Sequence, residues 1–389
     1  MSTNSPVRIT AESLMDQARK ATGLSDFGDP WFTAPLGRLV EFINKEAAIP
    51  SADAPPVLGL VGNLADRLRL VDYLKRNPKV RNEQLDVAGV IIGLPRGGST
   101  LLQRLLGTSP QLTSTYWWEM MFPVPYPDEA PGRPAARMAA GRKAADAMMA
   151  AWPELKSIHP LEPMGYDEEI ILVDRSFLSL MYSFYFDIPG YAHWQTEQDH
   201  SKAYEELKLW LQLFQYNAPE RRGRKWLLKS PHHLLSGALQ TMMDTFPDAK
   251  VLMTHRAMEN VIPSFCSNQS VTMRGSAGRF DAHRLGPQAI QMFSEALHNL
   301  IAVRKKAPPG RFIDVRYADM MSDPLGEYRK AMEQMGLRVG PADESAAATW
   351  MSQNSRDSHP RHRYQATDYG TTDAEIAKAL QFYSDALVN

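Results

Sequence analysis

The stretch Val87-Ala88-Gly89-Val90-Ile91-Ile92-Gly93-Leu94-Pro95-Arg96-Gly97-Gly98-Ser99-Thr100-Leu101-Leu102 decides the fold of this 389-residue chain. Its first half is a short, nearly continuous apolar run that stops at Gly93, which suits a strand buried on both faces of a parallel sheet. Gly97 and Gly98 let the chain turn tightly and bare its N–H groups. Ser99 and Thr100 add hydroxyl donors, and an amphipathic helix follows through Leu106. That helix start offers free N–H groups and the positive end of its dipole to an anion. The segment therefore has the strand-before, helix-after setting of a phosphate loop. It departs from the nucleotide-hydrolysing pattern GxxxxGK followed by Ser or Thr. The spacing from Gly93 to Gly98 fits, but Ser99 stands where the Lys should be, and the loop's cation is Arg96. No apolar strand ends in an Asp placed to hold magnesium, so no metal is expected.

Working outward, three later apolar runs (226–228, 251–254 and 312–315) are each followed by a helix-like stretch. Strands alternating with helices predict an α/β fold with a central parallel sheet flanked by helices. The first 83 residues carry helical spacing at 11–23, 31–47 and 63–76. Residues 117–219 read as a helical insertion rich in aromatics, with one helix over 167–185. The expected organisation is a single domain, 1–389. It combines a helical N-terminal subdomain (1–83) with an α/β core (84–389) that carries the insertion.

Lys and Arg number 43 against 44 Asp and Glu, a net charge of −1, so there is no electrostatic case for nucleic-acid binding. The single cysteine, Cys266, excludes an intramolecular disulfide and a cysteine-based metal site. No HExxH or comparable metal spacing occurs. Residues 1–10 lack a cationic segment followed by an apolar stretch, and no run of eighteen apolar residues exists. The expectation is a cytoplasmic protein without a membrane span, whose partner is a small molecule; its oligomeric state is not readable.

Gly93 to Leu106 resembles the 5′-phosphosulfate loop of sulfotransferases, especially the bacterial type reading Pro-Arg-x-Gly-Ser/Thr-Thr. Three further blocks follow in that family's order. Trp226-Leu227-Leu228-Lys229-Ser230-Pro231-His232-His233 is similar to a strand ending in Lys-Ser-Pro-x-His. Val251-Leu252-Met253-Thr254-His255-Arg256, continuing to Ser264, is similar to the segment whose Arg and Ser bind a 3′-phosphate. Two helical turns bring Ser264 back toward the strand end. Arg316-Tyr317-Ala318-Asp319-Met320-Met321-Ser322-Asp323-Pro324 is similar to the block whose Tyr lies near the adenine.

The resemblance implies a P-loop-like fold and transfer of a sulfuryl group from 3′-phosphoadenosine-5′-phosphosulfate (PAPS), leaving 3′-phosphoadenosine-5′-phosphate (PAP). It implies Arg96, Gly97, Gly98, Ser99, Thr100 and Leu101 at the phosphosulfate, and Arg256 and Ser264 at the 3′-phosphate. Tyr317 matches the adenine position, and Arg361 and Arg363 a basic C-terminal loop. Arg96 and Lys229 would meet the developing charge. His232 is the first candidate for the general base, although it is shifted by one from the better-known Lys-Thr-His pattern. Glu119, Glu168, Glu169 and His159 are the alternatives. Asp167-Glu168-Glu169 reads first as a helix N-terminus favoured by the dipole rather than as a source of the base. Two other functions fit the same general fold: a nucleotide kinase or NTPase, and a non-catalytic nucleotide-binding module.

Overall fold

A computed structural model describes residues 8–47, 49, 51–155, 161–276, 280–354 and 364–388. The chain opens with α1 (Ala11–Thr22), α2 (Thr33–Glu46) and α3 (Pro55–Arg76). The Thr10 side chain caps the first of these by accepting from Ser13 N–H, and Gly23 ends it in a left-handed conformation. These helices bury Leu14, Leu36, Ile43 and Leu64 against Phe177, Tyr182 and Tyr191 of the insertion.

The centre is a five-stranded sheet, every pairing parallel, in the order β2-β3-β1-β4-β5. Its strands are β1 (Val87–Ile91), β2 (Leu112–Thr113), β3 (Lys225–Lys229), β4 (Lys250–His255) and β5 (Phe312–Arg316). Four of them coincide with the apolar runs; β2 is two residues long and leaves no pattern. Every residue of β1 is buried, whereas β5 at the edge alternates buried and exposed positions. One face packs Val90, Leu228, Val251 and Met253 against Trp210, Phe214, Phe293 and Leu297. The other packs Ile91, Leu227 and Leu252 against Leu102, Leu105 and Leu106 of α4 (Ser99–Leu106).

The chain leaves β1 for one side of the sheet, returns through β3, and then builds the other side from β4 and β5. The carboxyl ends of β3, β1 and β4 therefore meet at a switch point, where open α/β sheets place ligands. The helix expected over 167–185 is broken instead. Ile170–Val173 and Met181–Phe186 are separate helices, and Phe177 between them has φ 59° and a fully buried ring. Packing of that ring against Phe32 wins over helix propensity. None of the described helices is long and apolar enough to cross a membrane.

Candidate active site

The loop after β1 is shaped by contact from two sides. A Cβ on Gly93 would lie 1.9 Å from Thr254 Oγ1 of β4, so only glycine fits there. Gly98 has φ 95°, and a Cβ on it would sit 2.7 Å from the Tyr317 ring. Gly97 N–H bonds to Leu94 O at 3.0 Å, and Leu102 N–H to Gly98 O at 3.1 Å. Between these bonds, the N–H groups of Gly98, Ser99, Thr100 and Leu101 have no protein acceptor among the described residues. Four adjacent free donors at a helix start form an anion cradle.

Four side chains close on that cradle. Arg96 Nε donates to Ser264 Oγ of the helix Met258–Ser276 at 3.0 Å. Arg256 Nη1 donates to the Arg96 carbonyl at 2.8 Å, and its guanidinium lies 4.3 Å over the Tyr317 ring. Burial holds the Arg96 guanidinium below its ordinary value; Tyr364 opposes that shift and Arg256 adds to it. Arg256 makes no salt bridge among the described residues, which leaves its charge for a ligand. Behind it, His255 Nε2 is 2.8 Å from Asp314 Oδ1 and its Nδ1 is 2.6 Å from the Tyr383 hydroxyl, which fixes the strand end.

Lys229 ends β3 in register with Ile91. Its side chain is fully buried and its ammonium pairs with Glu168 Oε1 at 2.5 Å. Lys229 N–H donates to Glu169 Oε2 at 2.9 Å, Glu169 Oε1 meets His233 Nε2 at 2.7 Å, and His233 Nδ1 meets the Tyr204 hydroxyl at 2.6 Å. A cavity of about 480 Å³ is lined by Phe184, Leu234, Leu235, Phe265, Gln269 and Met273 together with the polar Asp187, His193 and Glu295. Gln269 is 8% exposed, and its Oε1 has no hydrogen-bond partner among the described residues. The described residues contain no group of three or more His, Cys, Asp or Glu side chains that could hold a metal ion.

The sulfotransferase family model matches residues 90–341, well over half of the chain. The chain belongs to the sulfotransferase family. Its backbone superposes on sulfotransferase STF1 from Mycobacterium tuberculosis H37Rv with a TM-score of 0.80 and 28% identity, over 95% of this chain and 98% of that one. With sulfotransferase STF9 from Mycobacterium avium the TM-score is 0.83 at 23% identity, over 99% and 98% of the two chains, a likeness of fold. The omega-hydroxy-beta-dihydromenaquinone-9 sulfotransferase Stf3 of Mycobacterium bovis is 28% identical over 138 residues, 34% of each protein. The match thus spans about a third of the length of the curated relatives.

In this sulfotransferase the fold gathers Arg96, Gly97, Gly98, Ser99, Thr100, Leu101, Arg256, Ser264 and Tyr317 at one crevice, with Lys229 on the neighbouring strand. Glu119 is not among them. It forms a buried pair with Arg221 at 2.9 Å, and Arg221 stacks on Trp226 near the start of β3, the end away from the loop. His232 is 1% exposed, its ring is 6.2 Å from that of His200, and neither nitrogen has a partner among the described residues. Burial, and then the two neighbouring histidines, push its pKa well below the ordinary value. Glu168 and Glu169 bond to Lys229 rather than serving only a helix start. His159, Arg361 and Arg363 lie outside the described residues. Thr254, His255 and the chain Glu169–His233–Tyr204 were not anticipated, because each acts through partners distant in sequence. Only the position of His255, immediately before Arg256, marks it.

Proposed function

We propose that this protein transfers the sulfuryl group of PAPS to a hydroxyl or amine of an apolar small molecule. The observation that carries the reading is the joining of Arg96, Ser264, Arg256 and Tyr317 around four free loop amides. A nucleotide phosphorylated at both ends of its ribose needs two anion sites flanking one aromatic surface, and those groups supply them. In this reading the amides of 98–101 hold the 5′-phosphosulfate, Arg256 and Ser264 the 3′-phosphate, and Tyr317 the adenine side. Arg361 and Arg363 would add charge to the 3′-phosphate.

Transfer forms a bond from the acceptor oxygen or nitrogen to sulfur and breaks the bond from sulfur to the bridging oxygen. The bonding pair leaves with PAP. Positioning and charge stabilisation then dominate, with Arg96, Lys229 and the amides facing the charge that builds on the sulfonate and bridging oxygens. The cavity lined by Leu234, Leu235 and Phe265 supports an apolar acceptor. Leu234 and Leu235 follow Lys229 closely in sequence, Phe265 follows Ser264, and these apolar side chains share the lining with Asp187, His193 and Glu295.

Calorimetry with PAP and AMP tests the donor side: PAP should bind at least tenfold tighter, and equal affinity would end the proposal. Labelled sulfate donor offered with alcohols, phenols and amines tests the transfer. Magnesium-dependent ATP turnover without sulfuryl transfer would favour a kinase instead, a reading that Ser99 in place of the loop lysine already disfavours.

A further inference from the structure

The pairing of a sealed lysine with a partly exposed carboxylate at the end of β3 carries a consequence for the reaction. Lys229 is fully buried, and among the described residues its ammonium bonds to Glu168 alone. The Glu168 side chain keeps 22% exposure. The next residue, Glu169, clamps the Lys229 main chain and is itself held by His233. Consecutive carboxylates thus grip one residue, by its side chain and by its backbone. The backbone grip is sealed and fixed. The side-chain grip is the one that can exchange.

Without a donor, a buried ammonium needs a carboxylate nearby. A bound PAPS brings a second anion, its sulfonate and bridging oxygens, to the crevice edge where Lys229 ends its strand. Resting on the donor site proposed above, we infer that PAPS draws the Lys229 ammonium from Glu168 to the sulfuryl group, and that the released Glu168 carboxylate is the base that takes the acceptor proton.

The step balances. The acceptor O–H (or N–H) proton passes to a Glu168 carboxylate oxygen as the acceptor heavy atom bonds to sulfur. The sulfur–oxygen bond breaks, and its electron pair stays on the 5′-phosphate of PAP. Lys229 remains an ammonium throughout and hydrogen-bonds the departing oxygen. Glu168 then loses its proton to solvent through its exposed edge, and the lysine returns to it when PAP leaves. Donor arrival would therefore switch on the base. His232, sealed beside His200, is 1% exposed and has no comparable outlet.

The full-length Glu168→Gln variant tests both halves. Calorimetry with PAPS and with PAP reads the exchange. With its competitor gone, Lys229 should favour the sulfonate, so the variant should raise PAPS affinity several-fold relative to PAP affinity. A PAPS-to-PAP ratio equal to that of the wild type would overturn the exchange. Turnover with 2-naphthol and 1-decanol as acceptors reads the base. It should fall about 10²–10⁴-fold, a general-base contribution, and the acid limb of the pH–rate profile should vanish. A variant that keeps that limb, or that loses donor binding and thermal stability together, would overturn the base assignment. Lys229→Met, which fills the same buried space without charge, should lower the PAPS-to-PAP affinity ratio below that of the wild type while the fold persists. Failure of the parent reading is read separately, as wild-type protein that does not bind PAP.

Discussion

Arg96 adopts φ 68° with a side chain that must be tolerated there, a conformation costing about 1–2 kcal/mol for a non-glycine residue. The strain is offset by what the turn does: it aims the guanidinium at Ser264 and offers the carbonyl to Arg256. Replacing Arg256 by Ala removes both a phosphate fork and that brace. PAP affinity should fall about 10–100-fold, the worth of a charged hydrogen bond, with a smaller change for AMP, as calorimetry would read. At Gly98, φ 95° and the Tyr317 ring 2.7 Å from a Cβ position leave no room for Ala. Gly98→Ala should weaken PAP binding at least tenfold. His232 predicts a pH effect on stability. Its folded pKa lies below the ordinary 6.5, so the unfolded chain takes up the proton first. Its contribution is intact above about 6.5 and is lost progressively as pH falls below that value. His232→Gln should therefore lose less stability than wild type on acidification, in parallel thermal melts. The loop was legible in the sequence because its glycines, hydroxyls and arginine are neighbours. The Glu168–Lys229 pair was not, because its members lie 61 residues apart and Asp167-Glu168-Glu169 reads first as a helix start. His232 had plausible spacing, but burial is not a property of spacing.

Among the elements, those with long apolar runs announced themselves. Strands β1, β3, β4 and β5 are buried by helices on both faces or sit beside strands that are. The two residues of β2 are too few to show a period, and their pairing with Lys225 and Trp226 makes the strand. The stretch 167–185 misled for a different reason. Its residues favour a helix locally, yet burying Phe177 under Phe32 and bringing Glu169 to Lys229 require a break. Glu119 belongs to this scale too, since its pair with Arg221 ties the helix Trp117–Met121 to the segment before β3. Both side chains are 5% exposed, so Glu119→Gln strands a buried charge and should cost about 3–5 kcal/mol in denaturant unfolding. The kcat of the folded fraction should stay near wild type, because the pair lies away from the loop.

For the molecule as a whole, the alternation of strands and helices was enough to read an α/β architecture, and the long helical insertion was visible as a gap between strands. How the N-terminal helices attach was not visible. They share a core with Phe177, Tyr182 and Tyr191, aromatics from a segment more than a hundred residues later. Removing residues 1–83 would uncover those rings, each worth about 1.5–3 kcal/mol of burial. The shortened protein should lose its cooperative thermal transition and its PAP binding together, measurable by calorimetry on whatever stays in solution.

The contact of Tyr317 with Gly98 and Arg256 also bears on how the protein is made. The anion cradle leaves the ribosome more than two hundred residues ahead of the ring that closes over it. A nascent chain grows by about 5–20 residues per second, so the cradle waits many seconds for its far wall. Until Tyr317 emerges the loop lacks that wall, so the complete anion site assembles only after β1 and α4 have been exposed for that interval.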